Sequence, residues 1–368
     1  MIRVLMTADA VGGVWSYACE LIAALAALDA QVEVTLATMG APLSQRQARQ
    51  TAVLPNLDVV ESRFALEWMP DPWRDVDAAG AWLLELAARV APDIVHINGY
   101  CHAALPFEPP VVVAAHACVW TWMRAVHHRD PGPAWAEYRR RALAGLAAAE
   151  IVVGATEATV RSVLDAYGAT ANHRVIPNAC ATAPWRPGDK TTFVLSAGRL
   201  WDGAKGIAEL ATCAHRVEWP IVVAGPAAPP GTTAATLPRG VHVLGEVAPD
   251  ELAAWMARAS IFALPARYEP FGLSILQAAL SGCALVIGDI PALREVWRDI
   301  AIYVPPGDPD ALGFALNALI REPLVRNTLG ARARTRALEL SPARMSNAYH
   351  GLYDEVIARR RAWQESAS

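Results

Sequence analysis

Three stretches of this sequence set charged side chains among glycines in patterns suited to an anionic ligand. One is Gly198-Arg199-Leu200-Trp201-Asp202-Gly203-Ala204-Lys205-Gly206. A strand-like run ends, an arginine follows, and a lysine stands where the next helix should start. Arginine offers a planar fork to phosphate oxygens and lysine a point charge, so the pair suits a diphosphate. The alternative is a solvated loop with two surface cations. Only two of the 32 basic residues are lysines, Lys190 and Lys205, and that imbalance favours a role for Lys205.

The second stretch is Ala266-Arg267-Tyr268-Glu269-Pro270-Phe271-Gly272-Leu273-Ser274-Ile275-Leu276-Gln277. A strand ends in a loop bearing Glu269, and Gly272 opens a helix. Backbone N–H groups of that first turn, around Phe271, Gly272 and Leu273, can bind phosphate oxygens. A carboxylate only accepts hydrogen bonds, so Glu269 suits sugar hydroxyls better than phosphate. Gln277 could reach a ribose, or could form a capping box with Ser274. The third stretch is Gly12-Gly13, between the first strand and first helix. It is either an anion-binding turn at a helix N-terminus or a plain tight turn. It lacks the remaining glycines of a dinucleotide fingerprint, which disfavours a nicotinamide-dependent oxidoreductase.

Other polar residues are more ambiguous. His96, Asn98, Tyr100 and His102 follow or end a strand and are either ligand contacts or a satisfied loop. His116 ends an apolar run, and the aromatic and basic stretch Trp120, Trp122, Arg124, His127 and His128 lies beyond it. Aromatic faces suit sugar rings, but such residues also pack cores. Arg139 to Arg141 and Arg332, Arg334 and Arg336 read as solvated helix faces, with peripheral contact to anionic lipid the minority alternative. Asp308-Pro309-Asp310 reads as a helix start. There is no GxSxG, no defensible Cys/His pair and no DxD-like acidic pair, so neither a protein nucleophile nor a metal is implied.

The elements that must position these residues follow a regular rhythm. Candidate strands are 2–6, 32–37, 94–97, 111–115, 151–153 and 174–176, with helices at 14–28, 74–90, 134–149 and 157–167 between them. Continuous apolar strands separated by helices imply a parallel sheet covered on both faces. A Pro- and Gly-broken segment, 178–190, reads as a linker. The rhythm then restarts with strands at 193–197, 221–224, 241–244, 261–264, 284–287 and 302–304. The expectation is an α/β chain of two Rossmann-like doubly wound domains facing a cleft. The domains would span residues 1–180 and 190–341, with 342–368 a terminal helix. Ligands of such sheets bind at the carboxyl ends of the strands.

Composition agrees. The chain has 368 residues, 54% hydrophobic and 18% charged, with net charge −4. That excludes disorder and argues against a nucleic-acid binder. Six scattered cysteines read as buried thiols in a reducing cytoplasm. The start is too quickly polar for a signal peptide. The uncharged run from Phe271 to Gly288 reads as a helix and strand, not a membrane span.

Taken together, the glycine pair, Val175-Ile176-Pro177-Asn178, the GRL…KG loop and EPFGLSILQAALSGCALV resemble the retaining glycosyltransferases of family 4, which have the GT-B fold. The resemblance covers nearly the whole chain. It implies that Arg199 and Lys205 grip the donor diphosphate and that Glu269 touches the donor sugar. It also implies that Gln277 meets the ribose, that the backbone near Val247 meets the base, and that His116 lies near the transferred sugar. The terminal helix would cross back to the N-terminal domain. Three positions depart from the pattern. Gln277 replaces the second Glu of E-x7-E, the Arg199 to Lys205 gap is six positions instead of five, and Ala179 replaces the glycine of IPNG.

The function this implies is retaining transfer of a hexosyl group from a UDP- or GDP-sugar to an acceptor hydroxyl, in polysaccharide, glycolipid or small-glycoside synthesis. Asn98, Tyr100, Trp120 and Trp122 are the acceptor candidates. The leaving diphosphate would help deprotonate the acceptor, without cofactor or metal. The expected location is the cytoplasm or the inner face of the membrane. The alternative, favoured by Gln277, is a weakened protein that binds a nucleotide sugar without turnover. Within enzymes, a sugar-nucleotide epimerase is the runner-up, but no acid–base carboxylate pair can be assigned for it.

Overall fold

The computed structural model describes residues 1–10, 12–28, 32–228 and 239–367. Ser368, the end of the expected terminal helix, lies outside them. In chain order the first half contains β1 (Ile2–Asp9), α1 (Gly13–Ala26), β2 (Val32–Met39), α2 (Gln45–Ala52), β3 (Leu57–Glu61), α3 (Trp73–Val90) and β4 (Ile94–Ile97). It continues with β5 (Val111–Ala115), α4 (Val119–His127), α5 (Ala136–Ala148), β6 (Ile151–Gly154), α6 (Glu157–Tyr167) and β7 (His173–Val175). The second half runs through β8 (Thr191–Ala197), α7 (Ile207–Cys213), β9 (Ile221–Ala224), β10 (His242–Gly245), α8 (Pro249–Arg258), β11 (Ala259–Leu264) and α9 (Leu273–Leu280). It ends with β12 (Ala284–Gly288), α10 (Pro291–Trp297), β13 (Ile302–Val304), α11 (Pro309–Arg321), α12 (Pro323–Glu339) and α13 (Pro342–Ala367).

Two compact units divide the chain. One comprises Met1–Met123, Arg129–Ala179 and Pro342–Ser368; the other comprises Arg124–His128 and Cys180–Ser341. The first holds a seven-stranded sheet of order β3-β2-β1-β4-β5-β6-β7 and the second a six-stranded sheet of order β10-β9-β8-β11-β12-β13. Both sheets are parallel. Each order reverses once, between β1 and β4 in the first sheet and between β8 and β11 in the second. The crevice outside the strand ends at such a reversal is where a doubly wound sheet takes its ligand.

The sequence reading missed α2, β3, α4 and α10. Leu57–Glu61 is an edge strand with no fully buried residue and two acids, so it lacks the apolar run that marks central strands. Alternation places successive β1 residues on opposite faces. Val4, Met6 and Ala8 join one core, with α1, while Leu5 joins the other, with α3 and α5. Helix α13 lays Met345, Tyr349, Leu352, Tyr353 and Val356 into the α1 core of the first unit, a spacing that keeps one helical face inward. The second unit packs β8, β9, β11 and β12 against α7 and α11.

Several ambiguous residues are structural. All six cysteines are buried thiols outside any disulfide. Asp308 caps α11, accepting from the Asp310 and Ala311 N–H groups at 3.0 and 2.9 Å. The arginine clusters are engaged. Arg140 and Arg141 pair with Glu137, Arg332 with Asp299, and Arg334 and Arg336 donate to the carbonyls of Leu280 and Val296. Lys190 donates to the Ser281 carbonyl at 2.6 Å. Phe271 to Gly288 forms α9 and β12, and among the described residues no helix is long and apolar enough to cross a membrane.

Candidate functional site

In the second unit the two ligand-suited loops leave adjacent strands at the sheet reversal. Arg199 and Lys205 follow β8, and Glu269 follows β11. Backbone bonds stitch the loops together: the Arg267 N–H donates to the Ala204 carbonyl at 2.8 Å. Gly206 has φ +71°, and a Cβ there would lie 2.4 Å from the Pro265 carbonyl oxygen. Only glycine combines that left-handed backbone with so close an approach. Arg267 also pairs with Glu209 on α7, which anchors the second loop beneath the first.

This stitching brings Lys205 Nζ to 2.7 Å from Glu269 Oε2, with both side chains mostly covered, 14% and 13% exposed. Sequence reasoning gave these residues separate ligand groups; the fold makes them one charged pair. An ammonium has three donors and a carboxylate two acceptor oxygens, so the pair retains capacity for both phosphate and hydroxyl. Arg199 is more exposed. Its guanidinium donates to Asp202 at 2.6 Å and lies 5.3 Å from the Trp201 ring. Asp202 is buried and also accepts from the Ala204 N–H at 3.0 Å. It was not identified from the sequence, although its place three residues after Arg199, at the start of the Gly203–Lys205 turn, is the available signal.

Helix α9 begins at Leu273 with Gly272 as its N-cap, at φ +90°, and no side chain caps it. The capping-box reading of Ser274 and Gln277 therefore fails, because Ser274 lies inside the helix. Gln277, one turn beyond Leu273, shares its face and is partly exposed. Phe271 is buried at 2% exposure, so it offers backbone and not side chain. Val247 lies between β10 and α8, partly exposed.

In the first unit Gly12 is the N-cap of α1, at φ +87°, again without a side-chain cap. Both Gly12 and Gly13 are exposed, and nothing stands within 4 Å of a Cβ built at Gly13. Asp9, also missed in the sequence, ends β1. Burial pushes its carboxyl up to about 7, with the Trp68 side chain opposing and the charge of Glu67 adding. The Trp68 indole N–H donates to Asp9 at 3.4 Å.

Asn98 follows β4, and its amide is fully oriented. Its Nδ2 donates to the Thr7 carbonyl at 2.7 Å, so Oδ1 faces His116 Nε2 at 2.7 Å. An oxygen can only accept, so His116 carries its hydrogen on Nε2 and presents Nδ1 as an acceptor. Burial lowers the His116 pKa to about 4, which keeps the ring neutral near pH 7. Asn98 is thus the partner that orients His116.

Two other acceptor-side readings are corrected, and His102 takes the satisfied-loop alternative. Tyr100 and Trp120 lie in the core on the α5 face, at 2% and 5% exposure, where Trp120 stacks on Tyr138. His102 donates to the Val76 carbonyl at 2.9 Å. A strand-end position alone does not say which way a side chain turns, and these turn inward. Trp122 is half-buried on α4.

Two doubly wound parallel sheets, each with a glycine-opened helix and polar side chains at its reversal, define a Rossmann-like architecture. Comparison with known proteins makes the class specific. Residues 11–183 match Glycosyltransferase Family 4 and residues 191–322 match Glycosyl transferases group 1. The chain belongs to the family 4 glycosyltransferases. It is 33% identical over 123 residues to an MMP alpha-(1->4)-mannosyltransferase of Mycolicibacterium hassiacum, covering 32% of this chain and 30% of that one. The matched segments of the first curated relatives thus span about a third of their length or less. Sucrose-phosphate synthase from Thermosynechococcus elongatus has the same fold, with TM-score 0.82 at 17% identity, covering 98% of this chain and all of that one. Anabaena HepE in complex with UDP-glucose aligns with TM-score 0.76 at 16% identity over 96% of this chain and 100% of its own. These structural likenesses establish the GT-B fold.

Proposed function

We propose that this chain transfers a hexosyl group from a nucleotide-diphosphate sugar to an acceptor hydroxyl, with retention at the anomeric carbon. The observation that carries the reading is the covered Lys205–Glu269 pair, 2.7 Å apart, beside Arg199 and the helix opened by Gly272. Bond breaking at the anomeric carbon leaves negative charge on the departing diphosphate. Arg199, Lys205 and the first turn of α9 supply positive potential for that charge, and preorganised groups of this kind can carry most of the rate enhancement. Glu269 accepts from hydroxyls of the donor sugar, Gln277 from the ribose, and the backbone near Val247 meets the base. In the first unit, taken by itself, His116 Nδ1 accepts from a sugar hydroxyl, and the start of α1 at Gly12 and Gly13 offers N–H groups to an anion. The acceptor hydroxyl attacks as the diphosphate leaves, and a phosphate oxygen takes its proton. No protein nucleophile or metal enters this scheme.

The UDP-glucose named with HepE makes a uridine donor the first to try. Lys205→Ala and Arg199→Ala should each lower nucleoside diphosphate release by about two orders of magnitude, the scale of losing one preorganised donor to developing charge. Unchanged turnover in either variant overturns that residue's diphosphate role. Donor and base should be found by thermal stabilisation across UDP- and GDP-sugars, since a ligand that binds only the folded state raises its stability.

A further inference from the structure

The terminal helix does more than fill the core of the first unit. Tyr17 on α1 donates its hydroxyl hydrogen bond to the Tyr349 hydroxyl on α13 at 2.5 Å. The Tyr17 hydroxyl also lies 3.5 Å from His96 Nε2, and His96 Nδ1 shares a 2.6 Å hydrogen bond with the Tyr353 hydroxyl. All four side chains are buried, none more than 2% exposed. This polar cluster therefore has no water to exchange with, and removing one partner would strand another. The same Tyr17 ring meets His116 edge-on, with centroids 4.5 Å apart and planes at 67°.

His116 is thus gripped at two points. Asn98 Oδ1 fixes the hydrogen on Nε2, and the Tyr17 ring fixes the plane in which Nδ1 points. Tyr17 is itself held at its hydroxyl by α13. We infer that Tyr17 and Tyr349 are positioning residues for His116, so that the terminal helix sets the aim of a side chain at the end of β5. The catalytic consequence rests on the role proposed for His116 above. The positioning is a property of the first unit alone. Without the Tyr349 hydroxyl, the Tyr17 hydroxyl must turn towards His96 Nε2 or lose its acceptor. Either movement tilts the ring against which His116 packs.

The test uses the full chain and Tyr349→Phe, which keeps the ring and removes only the acceptor oxygen. Two readouts are needed. Histidine ring resonances in isotope-labelled protein report the geometry, His116 being the signal lost in His116→Gln. Nucleoside diphosphate release reports the chemistry. The His116 resonance should shift in Tyr349→Phe and in Tyr17→Phe, and kcat should fall about tenfold with donor KM nearly unchanged, as misplacement of a transition-state contact demands. Val356→Ala removes packing from the same helix and takes away none of the cluster's hydrogen-bonding groups. It should lower the melting temperature while leaving the His116 resonance and kcat in place. An unmoved His116 resonance in Tyr349→Phe overturns the positioning, as does a shift of equal size in Val356→Ala. A shifted resonance with unchanged kcat overturns the catalytic consequence. If the parent protein releases no nucleoside diphosphate from any donor while the resonance shifts as expected, glycosyl transfer fails and the positioning stands.

Discussion

Titration separates the desolvated groups at the strand ends of the first unit. Burial lowers His116 to about 4 and His96 to about 3, and raises Asp9 to about 7. The signs oppose each other. Between their folded pKa values and about 6.5, the histidines bind fewer protons folded than unfolded, so acidification costs stability. Asp9 binds more protons folded than unfolded between about 3.8 and 7, so its cost grows as pH rises through that window and levels off above it. Asp9→Asn removes that cost. The melting-temperature difference between Asp9→Asn and the parent should therefore become more favourable to the variant from pH 4 to 7, then stay constant. A difference that does not vary with pH would place the Asp9 carboxyl in an unperturbed setting. At Gln277 the capping role is gone, so substitution tests ligand contact alone. A carboxylate forms stronger, charge-assisted bonds to hydroxyls than an amide, by roughly 1 kcal/mol. Gln277→Glu should tighten donor binding about fivefold by calorimetry, with the melting temperature of the free protein little changed.

The decisive elements are loops and helix starts, whose backbone is more constrained than their composition suggests. Gly206 holds the junction between the turn carrying Lys205 and α7, at φ +71° and against the Pro265 carbonyl. Gly206→Ala adds a strained backbone conformation of about 1–3 kcal/mol to a steric clash, and something must move. The loops after β8 and β11 are tied at this point, so the Lys205–Glu269 pair should separate. The expected result is loss of donor-induced thermal stabilisation out of proportion to the fall in the free protein's melting temperature. Gly272 matters for a related reason. At φ +90° a Cβ would lie 2.7 Å from Ile275 Cδ1, and the entry angle of α9 depends on its absence. By contrast α13 is specified by periodicity alone, one apolar face among charged residues.

At the scale of the molecule, that periodicity makes the chain discontinuous in space: its last helix belongs to the unit that contains its first strand. Six α13 residues, Met345, Tyr349, Leu352, Tyr353, Val356 and Ile357, are buried in the α1 core. At about 1.5–3 kcal/mol per buried side chain, their loss is comparable to the roughly 5–15 kcal/mol that holds a whole domain folded. A chain ending at residue 341 should therefore lose the cooperative thermal transition of the first unit while the second still melts as a unit. Two transitions in the full chain collapsing to one, followed by calorimetry, is the expected signature. Retention of both would show that α13 contributes little to the first unit.

The sequence by itself determined the two parallel sheets, the loops that carry Arg199, Lys205, Glu269 and Gly272, and the family resemblance. Buried parallel strands must be continuously apolar, and anion-binding turns must carry glycine at fixed places, so both leave local signals. It did not show the edge strand β3, whose half-exposed residues carry no such signal. Only the tertiary structure decided the pairings. It joined Lys205 to Glu269 across 64 residues, made Asn98 the orienter of His116 and turned Tyr100 and Trp120 into the core. It also tied Tyr17 to Tyr349 across 332 residues. Such contacts depend on which strands neighbour each other and which way a side chain turns at a strand end. Those are properties of the packed sheet, and no spacing along the chain encodes them.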